Sequence, residues 1–143
     1  MRKRVTLLIV DTDKILLIHR HRDGQEYYII PGGGVEEGET VVEAAHREAA
    51  EETGLVIELR ALLWERPFAT EMGNGRVINQ MEYAYLITQF SGTLCLSGPE
   101  FERQSPTNQY RLDWIPFSNF PETLIYPGGL DKAMILDAVN SVQ

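Results

Sequence analysis

The chain has 143 residues, ordinary hydrophobic and charged fractions for a globular protein, and a formal net charge of −8. Its length suits one domain with a real core, and residues 1–143 are read as that domain. The acidic balance implies no basic surface for a nucleic-acid backbone or an anionic membrane, and a single Cys95 excludes an internal disulfide and fits a reducing, cytoplasmic setting.

The first element is Val5 to Val10, a continuous apolar run rich in β-branched residues that reads as a buried strand. It follows a basic Met1-Arg-Lys-Arg start, but six apolar residues are too few for a signal or a membrane span. Asp11-Thr12-Asp13 turns the chain into a second strand, Ile15 to Ile18, extended by His19-Arg20-His21-Arg22. Asp23-Gly24 predicts a hairpin into a third strand, Gln25 to Ile30. His19 and His21 share one face of the second strand; with no third ligand in view they read as ordinary polar residues of a surface or a substrate pocket. Arg20 and Arg22 point to the opposite face, as phosphate contacts or as solvated edge cations. Pro31-Gly32-Gly33-Gly34 then lets the backbone bend and approach a ligand closely.

A helix is expected from Thr40, which forms a capping box with Glu43, to Gly54, which suits the left-handed position past the last turn. Glu48, Glu51 and Glu52, spaced i, i+3, i+4, share one helix face, with Ala44 leaving it unobstructed one turn earlier. Like charges so close repel by about 0.2–0.5 kcal/mol per pair on an exposed helix, and by more when partly buried. A hard divalent cation relieves that repulsion, and an all-oxygen set suits Mg²⁺ or Mn²⁺. Arg47, four residues from both Glu43 and Glu51, can brace the carboxylates through either, or through Glu39 if the loop folds back. The plain alternative is a solvated acidic helix in an acidic protein.

Beyond the helix, Leu55 to Arg66 reads as one long strand stopped by Pro67. Phe68 to Asn79, with Met72-Gly73-Asn74-Gly75, reads as a hairpin tip or flap. Asn79 to Phe90 alternates as a strand, and Ser91-Gly92 turns it into Thr93 to Leu96. Ser97 to Asn108 is a polar loop carrying Glu100 and Glu102, ahead of Leu112-Asp113-Trp114-Ile115-Pro116. An irregular Pro-containing connection, Phe117 to Gly129, leads to a final helix, Leu130 to Val142, with an apolar stripe of Ile135, Ala138, Val139 and Val142. Tyr27, Tyr28, Phe68 and Tyr83 are aromatics able to stack on a base.

The stretch from Gly33 to Leu55, with Gly33, Glu39, Arg47-Glu48, Glu51-Glu52, Gly54 and an aliphatic Leu55 at fixed spacing, resembles the Nudix box. Ala49 departs from the bulky aliphatic usual in the family, and removes no ligand. The resemblance implies a MutT-like Nudix hydrolase of α/β (α+β) class: a mixed central β-sheet sandwiched between helices. It further implies metal binding by Glu48, Glu51 and Glu52 with a loop carbonyl from Gly32 or Gly33, and structural support from Arg47, Glu39 and Gly54. The general base is Glu51, Glu48 or a loop acid, Glu100 in preference to Glu102, with Glu82 a third candidate. Arg20, Arg22, Tyr28 and Glu102 are the substrate-contact candidates. The implied reaction is Mg²⁺- or Mn²⁺-dependent hydrolysis of a diphosphate linkage in a small nucleoside diphosphate derivative: a nucleoside triphosphate, a nucleotide-sugar or similar. No downstream mark of the dinucleotide, ADP-ribose or dinucleoside-polyphosphate hydrolases falls at its proper spacing, and Tyr126-Pro127-Gly128-Gly129 lacks the Asn with which MutT-like members read an oxidised guanine. A non-catalytic nucleotide-binding sensor on the same fold is the alternative; an isoprenoid diphosphate isomerase would need a catalytic Cys where Cys95 does not sit. Homodimers are common in the family.

Overall fold

A computed structural model describes residues 1–71, 74–96, 104–121, 125–127 and 130–142 of the chain. The strands are β1 (Arg2–Asp11), β2 (Lys14–Arg22), β3 (Gln25–Ile29), β4 (Gly32–Gly34), β5 (Leu55–Glu58), β6 (Ala61–Glu71), β7 (Val77–Ile87), β8 (Gln89–Gly92), β9 (Asn108–Pro116) and β10 (Ile125–Tyr126). The helices are α1 (Val41–Thr53) and α2 (Lys132–Asn140). The main mixed sheet runs β10-β3-β2-β1-β7-β6, with β4 also on β1 and β9 also on β2; β5 and β8 form a separate ribbon.

The apolar run of β1 is buried on both faces because a helix covers each. Val5, Leu7 and Ile9 pack with Ala44, Ala45 and Ala49 of α1, while Leu8 and Val10 pack with Ile135 and Val139 of α2. The expected α/β/α sandwich is therefore the observed one. Ala49 is fully buried in that contact, where its small side chain lets α1 lie close on the sheet. The β2–β3 hairpin turns at Asp23 and Gly24, both at positive φ, as the Asp-Gly pair predicts. The capping box of Thr40 and Glu43 is present, and Gly54 closes α1 at φ 76°. Asp131 caps α2, which is two residues shorter at each end than the apolar stripe suggested.

Several boundaries differ from the sequence reading. Leu55 to Arg66 is not one strand: the chain leaves the β5–β8 ribbon at Leu59 and enters the main sheet at Ala61. Pro67 does not end β6, because β6 is an edge strand and a missing N–H is tolerated on its open side. Of the two readings of the segment after it, the hairpin holds and a separate flap does not: β6 and β7 are antiparallel neighbours that continue pairing out to Glu71 and Val77. Ser91 and Gly92 belong to β8, not to a turn, and no strand forms over Thr93 to Leu96. Gly32 to Gly34, read as a loop, pairs with β1 as β4. The Trp-bearing segment extends back to Asn108 as β9 along the whole of β2. Within Phe117 to Gly129, residues 117–119 form a 3₁₀ turn and Ile125–Tyr126 add a short strand. No helix among the described residues is long and apolar enough to cross a membrane.

Gly54 is both left-handed and crowded: a Cβ there would strike the Thr93 carbonyl oxygen and crowd Cys95. Gly54→Ala is expected to cost upwards of about 1 kcal/mol, visible as a fall of several degrees in the thermal unfolding midpoint, whereas Gly24→Ala, with open space around it, costs only its backbone strain.

Candidate active site

The functional face of α1 is not one uniform surface. Glu48 and Glu52 are buried, and with Ala44 they form the line facing the sheet; Glu51 stands half exposed beside them. What they face is β4. The Gly32 N–H donates to Glu52 Oε1 at 2.7 Å. Gly33 lies so close over the Glu48 carboxyl that no Cβ fits between them. The glycines thus have steric reasons beyond flexibility: a side chain at Gly33 would displace the Glu48 carboxylate, and one at Gly32 would strike the Val5 carbonyl of β1.

Arg47 fixes the arrangement from the other side. Its Nε and Nη2 donate to the two oxygens of Glu39 at 2.7 and 2.9 Å, a bidentate pair. Nη2 also donates to the Gly34 carbonyl at 2.9 Å, and Nη1 to Glu48 Oε1 at 2.9 Å and Glu51 Oε2 at 3.3 Å. The loop does fold back, and Glu39 is the chief partner. Glu43, the other partner foreseen, is instead committed to the Thr40 N–H in the capping box.

These contacts set the protonation preferences. The hydrogen bonds from Arg47 hold the Glu39 carboxyl below its ordinary range. Glu48 goes the other way: burial raises it, its pairing with Arg47 opposes that, and the charge of Glu51 adds to the rise. An all-oxygen set that resists full ionisation fits a hard divalent cation. Among the described residues no three acids converge as a ready-made cage, which suits an ion completing its shell with phosphate oxygens and water.

The other candidates lie elsewhere. Arg20 is committed on the β2–β3–β9 part of the sheet, donating to Tyr27 Oη at 2.7 Å and Asn108 Oδ1 at 3.0 Å, with its guanidinium over the Tyr110 ring at 4.4 Å. Arg22 is exposed at the end of β2 beside Asp23. Tyr28 stacks on His19 at 4.7 Å between ring centroids. Both ring nitrogens of His19 are engaged, Nε2 by Glu26 and Nδ1 by Arg111 Nη2 at 2.9 Å, so the residue is a polar brace without a free site for metal. A cleft of about 680 Å³ lies beside it, lined by His19, His21, Tyr110 and Arg111 and by none of the α1 carboxylates. Glu100 and Glu102 lie outside the described residues.

Glu82 has no exposed surface. Its Oε1 accepts from Trp64 Nε1 at 2.7 Å and Arg66 Nε at 2.6 Å, and its Oε2 from Thr6 Oγ1 at 2.7 Å. Sequence reasoning left its face undecided and missed Arg4, Thr6 and Arg66 around it. The signal was available: Arg4 and Thr6 alternate with Val5 and Leu7, so two polar residues share the strand face of Leu8 and Val10.

Comparison with known proteins agrees with this architecture. The family model of the NUDIX domain matches residues 1–132. A Nudix hydrolase of Bacillus subtilis, YvcI, is 28% identical over 127 residues, 88% of this chain and 73% of that protein. An ADP-ribose pyrophosphatase of Methanocaldococcus jannaschii is 47% identical, but over only 57 residues, 39% of this chain and 34% of that protein. The crystal structure of a MutT NUDIX hydrolase from Burkholderia pseudomallei superposes with a TM-score of 0.71 at 27% identity, covering 96% of this chain and 97% of that one.

Gly33 has ordinary negative-φ or extended backbone, so Gly33→Ala adds no backbone strain and only a methyl group against Glu48. The variant is expected to fold with a near-native circular dichroism spectrum while its affinity for Mn²⁺, read by electron paramagnetic resonance, falls at least about tenfold. The bare glycine strand, the Arg47 clamp and the buried carboxylate pair thus coincide with the matched region, and the chain belongs to the NUDIX domain family as an enzyme of its pyrophosphohydrolase type.

Proposed function

We propose that the enzyme hydrolyses the diphosphate linkage of a small nucleoside diphosphate derivative with the help of Mg²⁺ or Mn²⁺. The observation that carries this reading is the Glu48–Glu52 carboxylate pair, buried against Gly32 and Gly33, with Glu51 at its open side. Glu48, Glu51 and Glu52, with the Gly33 carbonyl, would hold the cation. When bound, such an ion neutralises phosphate oxygens and lowers the pKa of water.

The remaining work falls to the chain itself. Arg47 keeps Glu48 and Glu51 in fixed orientations and ties them to the loop through Glu39 and Gly34, so no side chain must reorganise as negative charge shifts among the phosphate oxygens. The water's proton is taken by a carboxylate. Glu51 is the half-exposed member of the set and the one open to solvent water, with Glu48 and the loop acid Glu100 as the other bases. Gly54 supports the site indirectly by ending α1 at Thr53, one residue beyond Glu52. The lone Cys95, an exposed free thiol, is in keeping with work in the cytoplasm. The net charge of −8 disfavours a polymeric nucleic acid as substrate.

The substrate class extends to nucleoside triphosphates, nucleotide-sugars and ADP-ribose. The relative named ADP-ribose pyrophosphatase makes ADP-ribose the first compound to try. The test is release of phosphate, pyrophosphate or nucleoside monophosphate from a panel of these compounds with Mg²⁺. Turnover of at least one is expected, with Glu52→Gln lowering kcat at least about a hundredfold at unchanged secondary structure. Tight binding without turnover across the panel would favour a ligand sensor, and full activity of Glu52→Gln would remove Glu52 from the metal set.

A further inference from the structure

One row of side chains across the sheet carries more positive charge than it can pair. The register places Arg4 of β1 opposite Glu82 of β7, and Glu82 opposite Arg66 of β6. Directly opposed unlike charges normally pair across strands, so Glu82 has two arginines to choose between. The geometry gives it to Arg66: Oε1 is taken by Arg66 and Trp64, and Oε2 by Thr6. Arg4 is left out. Its Nε is buried without a hydrogen-bond partner, and no carboxylate among the described residues forms an ion pair with it.

Arg4 is half-buried, but its Nε is fully enclosed and unused, a condition it shares only with Arg20 Nε among the described residues, and buried donors are as a rule paired. The position of Arg4 supplies a reason. Arg4 also lies in register with Gly34 of β4, the strand whose Gly32 and Gly33 receive Glu52 and Glu48. After Glu82, the charges whose fields it feels most strongly are Glu52 and Glu48. The three successive glycines of β4 put no side chain between Arg4, on the α2 face of β1, and the carboxylates on α1; beside Gly34 lies a second guanidinium, that of Arg2. The Arg4 guanidinium lies 5.7 Å from the centroid of the Phe68 ring, which holds the side chain in place without satisfying its donors.

We propose that Arg4 is a substrate-binding residue that takes a non-bridging phosphate oxygen of the diphosphate, on the side of the site away from α1. The inference rests on the diphosphate substrate proposed above and adds a residue that the Gly33–Leu55 motif does not contain. Arginine suits the role because its planar fork matches phosphate and stays charged when desolvated. Glu82 is then the orienting group of the row: by holding Arg66 and Thr6 it keeps its own charge from capturing Arg4.

The test uses the full chain and α,β-methylene-ADP, a non-hydrolysable nucleoside diphosphate, with Mg²⁺. Arg4→Met keeps the aliphatic stem over Phe68 and removes the charge. Calorimetry is expected to show its affinity for the probe reduced about 10- to 100-fold, with Mn²⁺ binding unchanged and an unliganded thermal midpoint no lower than that of the parent protein. Unchanged affinity, or a lowered midpoint with affinity intact, would overturn the proposal in favour of a structural partner of Glu82. Should Arg4→Met not fold, Arg4→Lys decides: a point charge without the fork is expected to lose affinity at least about threefold, and affinity equal to the parent's overturns the proposal. Turnover on the panel is scored separately. A parent protein that turns over with a KM unaffected by Arg4→Met sinks the Arg4 assignment alone. One that binds the probe through Arg4 yet turns over nothing sinks the hydrolase reading alone, and one that does neither sinks both.

Discussion

The guanidinium of Arg47 gathers one backbone carbonyl and three close carboxylates, and the rest of the site is built outward from that cluster. Its bidentate pair with Glu39 anchors the loop from Gly34 to Glu39 onto the helix. That anchoring sets how β4 lies over α1. Only with β4 in that position can the Gly32 N–H reach Glu52 and Gly33 cover Glu48. The sheet needs β4 as well, since its glycines pair with the first half of β1. One side chain therefore couples the folding of the loop, the seating of the strand and the geometry of the carboxylates.

The same cluster is electrostatically unfinished. Arg47 brings one positive charge to Glu39, Glu48 and Glu51, and Glu52 has a backbone N–H facing it. Burial and the neighbouring Glu51 hold Glu48 back from ionising even though Arg47 favours its charge. Across the bare glycine strand the imbalance has the opposite sign, with the half-buried Arg4 outside any ion pair among the described residues and its Nε enclosed without a partner. Excess carboxylate on one side and excess guanidinium on the other are the two needs that a divalent cation and a diphosphate meet together. On the proposed function, stability that a fully paired interior would supply is withheld here and recovered on binding.

Much of this was legible in the chain. The i, i+3, i+4 acids, the Thr40–Glu43 box and Gly54 act locally, through spacings of a few residues, and the helix appeared where they placed it. The sandwich followed from the doubly buried run of β1. What sequence did not disclose depends on register between distant strands. That Leu59 and Arg60 break one apolar run into strands of two different sheets is decided by β8 and β7, not by the residues themselves. That the Arg20 Nη groups are taken by Tyr27 and Asn108, while Arg4 finds no ion-pair partner among the described residues, turns on pairings up to 88 residues apart in the chain.

The central claim is that the Glu48 charge is costly in the metal-free protein and becomes favourable only with a cation. Because its pKa is raised on folding, the protonated form favours the folded state. The cost of ionising it emerges as pH climbs past the unfolded value, near 4.5, and is complete above the folded one. Thermal unfolding of Glu48→Gln beside the parent protein, at pH 7 with chelator and again with Mg²⁺, measures this directly. The account predicts that the variant unfolds at a higher temperature than the parent in chelator, and that Mg²⁺ stabilises the parent far more than the variant. A variant that is less stable in chelator, or that gains as much from Mg²⁺ as the parent, would contradict it.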